Sequence, residues 1–217
     1  VTHPLFGPQM LNIVGQTMIL VKTERTQNDH YEWLNEVYRK KGALVVESTA
    51  TDHDKYMLYI QTLTHFLYLS FSKALTYAMN EDGFDLGQSF KYMTPPYASI
   101  AAFVGRILST SNPRIYAQIQ AAPMASKTRE FLIRAVNELI KTFGEDDEKK
   151  NQDAIKEIIE PFKSGDISEG VAIATAYVEI LQDYYQTIHK RKEEGSFVVI
   201  KAYDPIGNNP KITFHAG

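Results

Sequence analysis

There is no cysteine in the 217 residues. That excludes disulfides, thiolate metal sites and thiol catalysis, and it fits a reducing, cytoplasmic setting. There is no Gly-x-Gly-x-x-Gly and no Gly-x-x-x-x-Gly-Lys-Ser/Thr, so the chain has no recognisable dinucleotide or phosphate cradle of its own. There is no long basic block, and the net charge is −3; nucleic acid is not an expected partner. No apolar run reaches about 18 residues free of charge, so no membrane span is expected. No two histidines stand at a ligand spacing on one helix. His53 and His65 are twelve apart, which places them about 120° apart around a helix and roughly 18 Å along it; no metal site is expected. No signal peptide opens the chain, and a start at Val1-Thr2-His3-Pro4 reads as one cut from something longer.

What is present is an ordinary globular composition, 44% hydrophobic and 23% charged, arranged as a mainly α chain with a short α/β start. Val1 to Met10 reads as the tail of a strand and a loop, with Pro4 and Pro8 against regular structure. Met18–Lys22 and Ala43–Glu47 are short strand candidates. Between them Asn28–Lys41 is an amphipathic helix with Asn28 as its cap, Trp33, Leu34 and Val37 as its stripe, and Gly42 as its stop. This α/β unit is too small to be a domain and has no evident sheet to join.

The chain is organised around Thr51-Asp52-His53-Asp54 and the run that follows to Met79. Thr51 is the expected N-cap, and Asp52 and Asp54 put negative charge where the helix dipole favours it. Apolar residues then fall on more than one face, which marks a buried helix. It is too long for one small domain to cover, so a second subunit is expected against it. A polar break follows at Asn80–Gln88, then a loop or helix start at Phe90–Tyr97 and a helix over Ala98–Leu108. Another helix restarts at Asn112-Pro113, with Pro113 at its first position, and ends before Pro123. A helix capped by Ser126 runs to about Phe143, with Phe131, Leu132, Val136, Leu139 and Ile140 as its stripe. A solvated charge run covers Glu145–Lys150. Helices over Ala154–Phe162 and Ile167–Lys190 come next, and two strands, Phe197–Ile200 and Lys211–Phe214, close the chain as a hairpin.

Three residues stand out. His3, in His3-Pro4-Leu5-Phe6-Gly7-Pro8, ends a strand where α/β folds place ligands; the plain alternative is a loop histidine. Arg106 lies in the apolar run Ala101–Leu108 and calls either for an anion or for an escape to water past the helix edge; Gly105 beside it permits a close approach. His65 lies inside the long apolar helix, as a core histidine or a site residue. His30, His189 and His215 read as surface residues.

In order along the chain, His3-Pro4-Leu5-Phe6-Gly7-Pro8, His53-Asp54 opening a long helix that contains Gln61-Thr62-Leu63-Thr64-His65-Phe66, Val104-Gly105-Arg106-Ile107-Leu108, and Asn112-Pro113-Arg114-Ile115-Tyr116-Ala117-Gln118-Ile119 resemble prephenate dehydrogenase over residues 1 to about 190. The first element is the most specific. The resemblance implies a helical dimerisation domain, of the kind at the C-terminus of 6-phosphogluconate dehydrogenase, behind a Rossmann-type domain that binds NAD or NADP, with the active site in the cleft between them. It implies oxidation of prephenate with loss of CO₂ to 4-hydroxyphenylpyruvate, in tyrosine biosynthesis. It makes His3 the catalytic histidine that accepts the proton of the substrate hydroxyl, Arg106 the holder of a substrate carboxylate and His65 a second histidine lining the pocket. His53 is a weaker match, for which helix capping is a sufficient role.

The departures are equally clear. Everything the family places before the His-Pro element is absent, including the glycine fingerprint, so the cofactor is expected to be bound mainly by a domain outside the chain. The hairpin from about Gly195 also falls outside the resemblance. The expected organisation is therefore a remnant of the nucleotide-binding domain over 1–48, a helical dimerisation and substrate domain over 49–192, and a hairpin or linker over 193–217. The chain alone is expected to be inactive and to form a homodimer, with tyrosine a candidate feedback inhibitor. Two rival readings stand beside this one: an arogenate dehydrogenase, and a non-catalytic helical dimerisation or effector-binding module.

Overall fold

The computed structural model describes residues 1–7, 10–109, 112–143, 147–193, 196–199 and 213–216. Two compact units are present: one holds Val1–His65 with Pro113–Thr128, the other Phe66–Asn112 with the described residues from 129 onward.

In the first unit, β1 (Thr2–Pro4), β2 (Thr17–Val21) and β3 (Leu44–Ser48) form one sheet in that order, β1 antiparallel and β3 parallel to β2. The strands thus pair with one another rather than lacking a sheet. Pro4 is tolerated because β1 is an edge strand, where a missing N–H breaks no central ladder. Helix α1 (Asn28–Lys40) makes the crossover from β2 to β3, as a parallel connection requires.

Alternation along β2 sorts its side chains to two faces. Met18 and Leu20 pack with Ala43 beneath Tyr31 and Tyr38 of α1. Of the expected stripe, Leu34 and Val37 are half-buried, as are Tyr31 and Tyr38, whereas Trp33 is 61% exposed. Asn28 is not the cap: Gln27 holds that position and makes no side-chain cap bond. Gly42 does stop the helix. Its φ of +80° suits a residue without a Cβ, and a Cβ there would meet Val14 at 3.2 Å.

The other face of β2 carries Ile19 and Val21, which cluster with Met57 of α2 (Ala50–Met57). The cap of α2 is Thr49, not Thr51. Thr49 Oγ1 accepts from the Asp52 N–H at 3.0 Å and donates to the Asp52 carboxylate at 2.9 Å. Two overlapping Thr-x-x-Asp registers, 49–52 and 51–54, offer the same local signal, and packing of Met57 on the sheet goes with the earlier one.

The long helix is also not continuous. Leu58–Leu63 is a π-helical segment, and α3 (Thr64–Glu81) follows it. Widening the turn frees carbonyls from the regular ladder. Tyr59 carbonyl accepts from Thr64 Oγ1 at 3.3 Å, and Thr62 carbonyl accepts from Gln120 Nε2 at 3.0 Å. The expectation of a buried helix is not met within the chain. Met57 and Thr62 are buried, no residue of α3 is, and Ile60 is 59% exposed.

In the second unit the polar break holds a short α4 (Leu86–Ser89) capped by Asp85. Helix α5 (Pro95–Leu108) starts earlier than expected: Thr94 caps it and the prolines fill the first turn, where their missing N–H costs nothing. Helix α6 (Arg114–Gln120) belongs to the first unit; Pro113 is its N-cap residue, not its first helical one. Helix α7 (Ala125–Phe143) starts before Ser126, which is therefore not the cap. Its apolar stripe is left open, with Ile140 at 64% exposure. Helix α8 (Glu148–Ile159) is capped by Asp147 and continues into a 3₁₀ turn, Glu160–Phe162; residues 145 and 146 of the expected charge run lie outside the described residues. Helix α9 (Ser168–Glu193) is followed by β4 (Ser196–Val199) and β5 (Thr213–Ala216), which pair antiparallel; residues 200–212, with the rest of the expected strands and their connection, lie outside the described residues. Among the described residues, no helix is long and apolar enough to cross a membrane.

Candidate functional site

The site is built on the β1–β2–α2 packing. His3 on β1 pairs with Ile19 on β2, and directly opposed residues of an antiparallel pair share a face. Ile19 and Val21 hold Met57 on that face. His53 stands one helical turn before Met57, so it lies on the same side of α2. The result is a contact between residues fifty positions apart: His3 Nδ1 lies 2.8 Å from His53 Nε2, with the rings edge to face and their centroids 5.1 Å apart. The other nitrogen of His53, Nδ1, lies 2.8 Å from the Asp54 carboxylate. Both histidines are half-buried, while the Asp54 side chain is open to solvent.

Burial first, and the charge of His53 second, hold the His3 imidazole below its ordinary pKa of 6.5. A histidine kept neutral near pH 7 can accept a proton. His53, judged from the sequence a capping residue, is in fact the direct partner of His3. The signal for it was present in the His53-Asp54 dipeptide at the start of the helix, but the fold alone brings it to His3.

His65 follows the π-helical segment directly. It is half-buried and meets Tyr116 of α6 edge to face, with centroids 5.3 Å apart. Arg106 lies in the second unit on α5, between the buried residues Val104 and Ile107, and is itself exposed. It has escaped to water, so burial gives no reason for it to demand an anion. A Cβ on Gly105 would meet nothing within 4 Å, which leaves open space beside the guanidinium's helix. His30 is exposed; the side chains of His189 and His215 lie outside the described residues. A shallow apolar groove of about 380 Å³ between Pro95 and the Val178–Gln186 face of α9 contains none of these residues.

The turn from β2 into α1, residues 22–27, contains no glycine and carries Glu24. The sheet of this chain therefore offers no backbone cradle for a dinucleotide pyrophosphate at that turn.

Residues 49–160 match the family model described as prephenate dehydrogenase, dimerization domain. The chain belongs to the prephenate dehydrogenase family. His53, His65 and Arg106 fall inside that match, and His3 precedes it. Among curated relatives, a probable arogenate/prephenate dehydrogenase of Methanocaldococcus jannaschii is 32% identical over 167 residues, covering 75% of this chain and 36% of the relative. The T-protein of Enterobacter agglomerans is 31% identical over 117 residues, covering 54% of this chain and 30% of the relative. The chain thus spans about a third of the length of the curated relatives it matches. The fold resembles the crystal structure of Synechocystis arogenate dehydrogenase, with a TM-score of 0.51 at 17% identity, over 72% of this chain and 53% of that one.

Proposed function

We propose that this chain is the substrate-side and dimerisation part of a prephenate dehydrogenase, an NAD(P)-dependent enzyme that oxidises and decarboxylates prephenate to 4-hydroxyphenylpyruvate. The observation that carries the reading is His3, held neutral on β1 by burial and by its contact with His53, in a chain of this family. In this reading His3 accepts the proton of the substrate hydroxyl as the ring alcohol is oxidised. Arg106 holds a carboxylate of the dianionic substrate, for which a planar guanidinium fork is suited. His65 lines the pocket. The nicotinamide, which supplies the hydride acceptor, is held mainly by a nucleotide-binding domain outside this chain; the missing glycine fingerprint and the partial coverage of the relatives support that.

With this reading go the division into 1–48, 49–192 and 193–217, a homodimer, a cytoplasmic location and tyrosine as a candidate inhibitor. That the Methanocaldococcus relative is a probable arogenate/prephenate dehydrogenase also supports arogenate as a substrate. Turnover of prephenate and of arogenate by the intact enzyme separates the two. His3→Asn should lower kcat by about 10²–10⁴ with KM nearly unchanged, because proton acceptance is needed mainly in the transition state. Near-normal kcat would remove His3 from the reaction. Micromolar binding of NAD or NADP to this chain alone, by calorimetry, would refute the placement of the cofactor site.

A further inference from the structure

His3, His53 and Asp54 form a chain of two hydrogen bonds, each 2.8 Å long. Their donors and acceptors follow from what each group is able to do. A carboxylate oxygen only accepts, so the bond to Asp54 is donated by His53 Nδ1–H. A neutral imidazole with its proton on Nδ1 has a bare Nε2. With His53 neutral, the bond between the rings is donated by His3, from Nδ1–H, into His53 Nε2. Neutral His3 with its proton on Nδ1 is in turn bare at Nε2, the nitrogen that faces away from His53.

We infer that His53 and Asp54 are positioning residues that fix the tautomer of His3, so that His3 presents an unprotonated Nε2 to its substrate. Without them His3 would take the Nε2–H form that imidazole side chains favour in water, and its free nitrogen would be Nδ1, on the wrong side of the ring. The same contacts lock the ring's orientation: Met57 in the Ile19–Val21 cluster holds α2 to the sheet, and α2 carries both His53 and Asp54. An imidazolium at His3 would still donate from Nδ1 to the same acceptor, so the ring's orientation is kept through proton transfer. This inference rests on His3 as the proton acceptor for its catalytic meaning, but the proton positions themselves are measurable without turnover.

The test is a long-range ¹H–¹⁵N correlation spectrum of the ¹⁵N-labelled chain, recorded well above the ordinary histidine pKa of about 6.5. His3 and His53 should both show a protonated Nδ1 and a bare Nε2. Asp54→Ala, at an exposed side chain, should keep the fold and return both rings toward the Nε2–H form. A His3 protonated at Nε2 in the unaltered chain overturns the inference, and so does an Asp54→Ala chain in which both tautomers are unchanged. In the intact enzyme, Asp54→Ala should lower kcat by part of the roughly 10²–10⁴ that a general base contributes, with KM unchanged. If the tautomers are as inferred while His3→Asn retains full kcat, the functional reading fails and the hydrogen-bond chain stands.

Discussion

His3 Nδ1 and His53 Nε2 approach to 2.8 Å although fifty positions separate the two residues. A strand pairing (His3 with Ile19) and a core cluster (Ile19, Val21 and Met57) together account for the approach. Each is a packing event with no imidazole in it, so the contact is a product of the fold rather than of attraction between the rings.

The pH dependence of stability should show this contact. Burial, and then His53, lower the His3 pKa below 6.5, so near that value the folded chain binds fewer protons than the unfolded one. Stability then rises with pH. The His3 contribution is complete above about pH 6.5 and is lost as pH falls through the lower folded value. Urea midpoints between about pH 8 and pH 5 should fall less steeply in His3→Gln than in the unaltered chain; identical slopes would contradict the prediction.

The cap of α2 gives a second test. Thr49→Ala should cost about 0.5–2 kcal/mol in urea unfolding, because it removes the acceptor for the Asp52 N–H. Thr51→Ala lies inside the helix at an exposed position and should stay within about 0.5 kcal/mol. A reversed order would restore the cap to Thr51.

Arg106 is exposed on α5, so Arg106→Ala should leave the melting temperature almost unchanged. In the intact enzyme the same change should raise KM about tenfold or more, since loss of a charge-assisted hydrogen bond costs about 1.5–3 kcal/mol. Arg106→Lys should recover only part of the loss, because an ammonium lacks the fork. An unchanged KM in Arg106→Ala makes it a solvent-facing arginine and nothing more.

Oligomeric state is the fourth test. Large apolar side chains stand open on several helices, including Ile60 at 59%, Ile140 at 64% and Ile180 at 66%. Exposure of that kind is expected at an obligate helical interface, which commonly buries more than about 2,000 Å². Light scattering in dilute solution should give twice the chain mass; a monomer would leave these faces unexplained.

How much of this could be read from the residues alone differs from element to element. β2, α1, β3 and α9 were legible to within a few residues, β2 and β3 as short apolar runs and α1 by its amphipathic spacing. Gly42 was legible as a stop because a left-handed turn favours glycine. The α2 cap was ambiguous because Thr49 and Thr51 each precede an aspartate by three residues. Trp33 was misplaced because Trp33 and Leu34 both fit an apolar stripe, and only the sheet decides which side of α1 it meets. His3 and His65 were legible as candidates, whereas the role of His53 depends on tertiary pairing and has no local trace beyond Asp54.

The π-helical segment Leu58–Leu63 sets a phase. A π turn is an α-helix with a residue to spare, and that spare residue rotates the residue positions just after it, His65 among them, by about 100° from where a regular ladder would put them. His53 lies on one side of the segment and His65 on the other. Deleting a single residue there would relax the helix into a regular ladder, yet it would swing His65 off Tyr116 while leaving His53 on His3. The locally irregular backbone is therefore the device by which His53 and His65 are aimed independently, and a more regular helix would be a worse one for this protein.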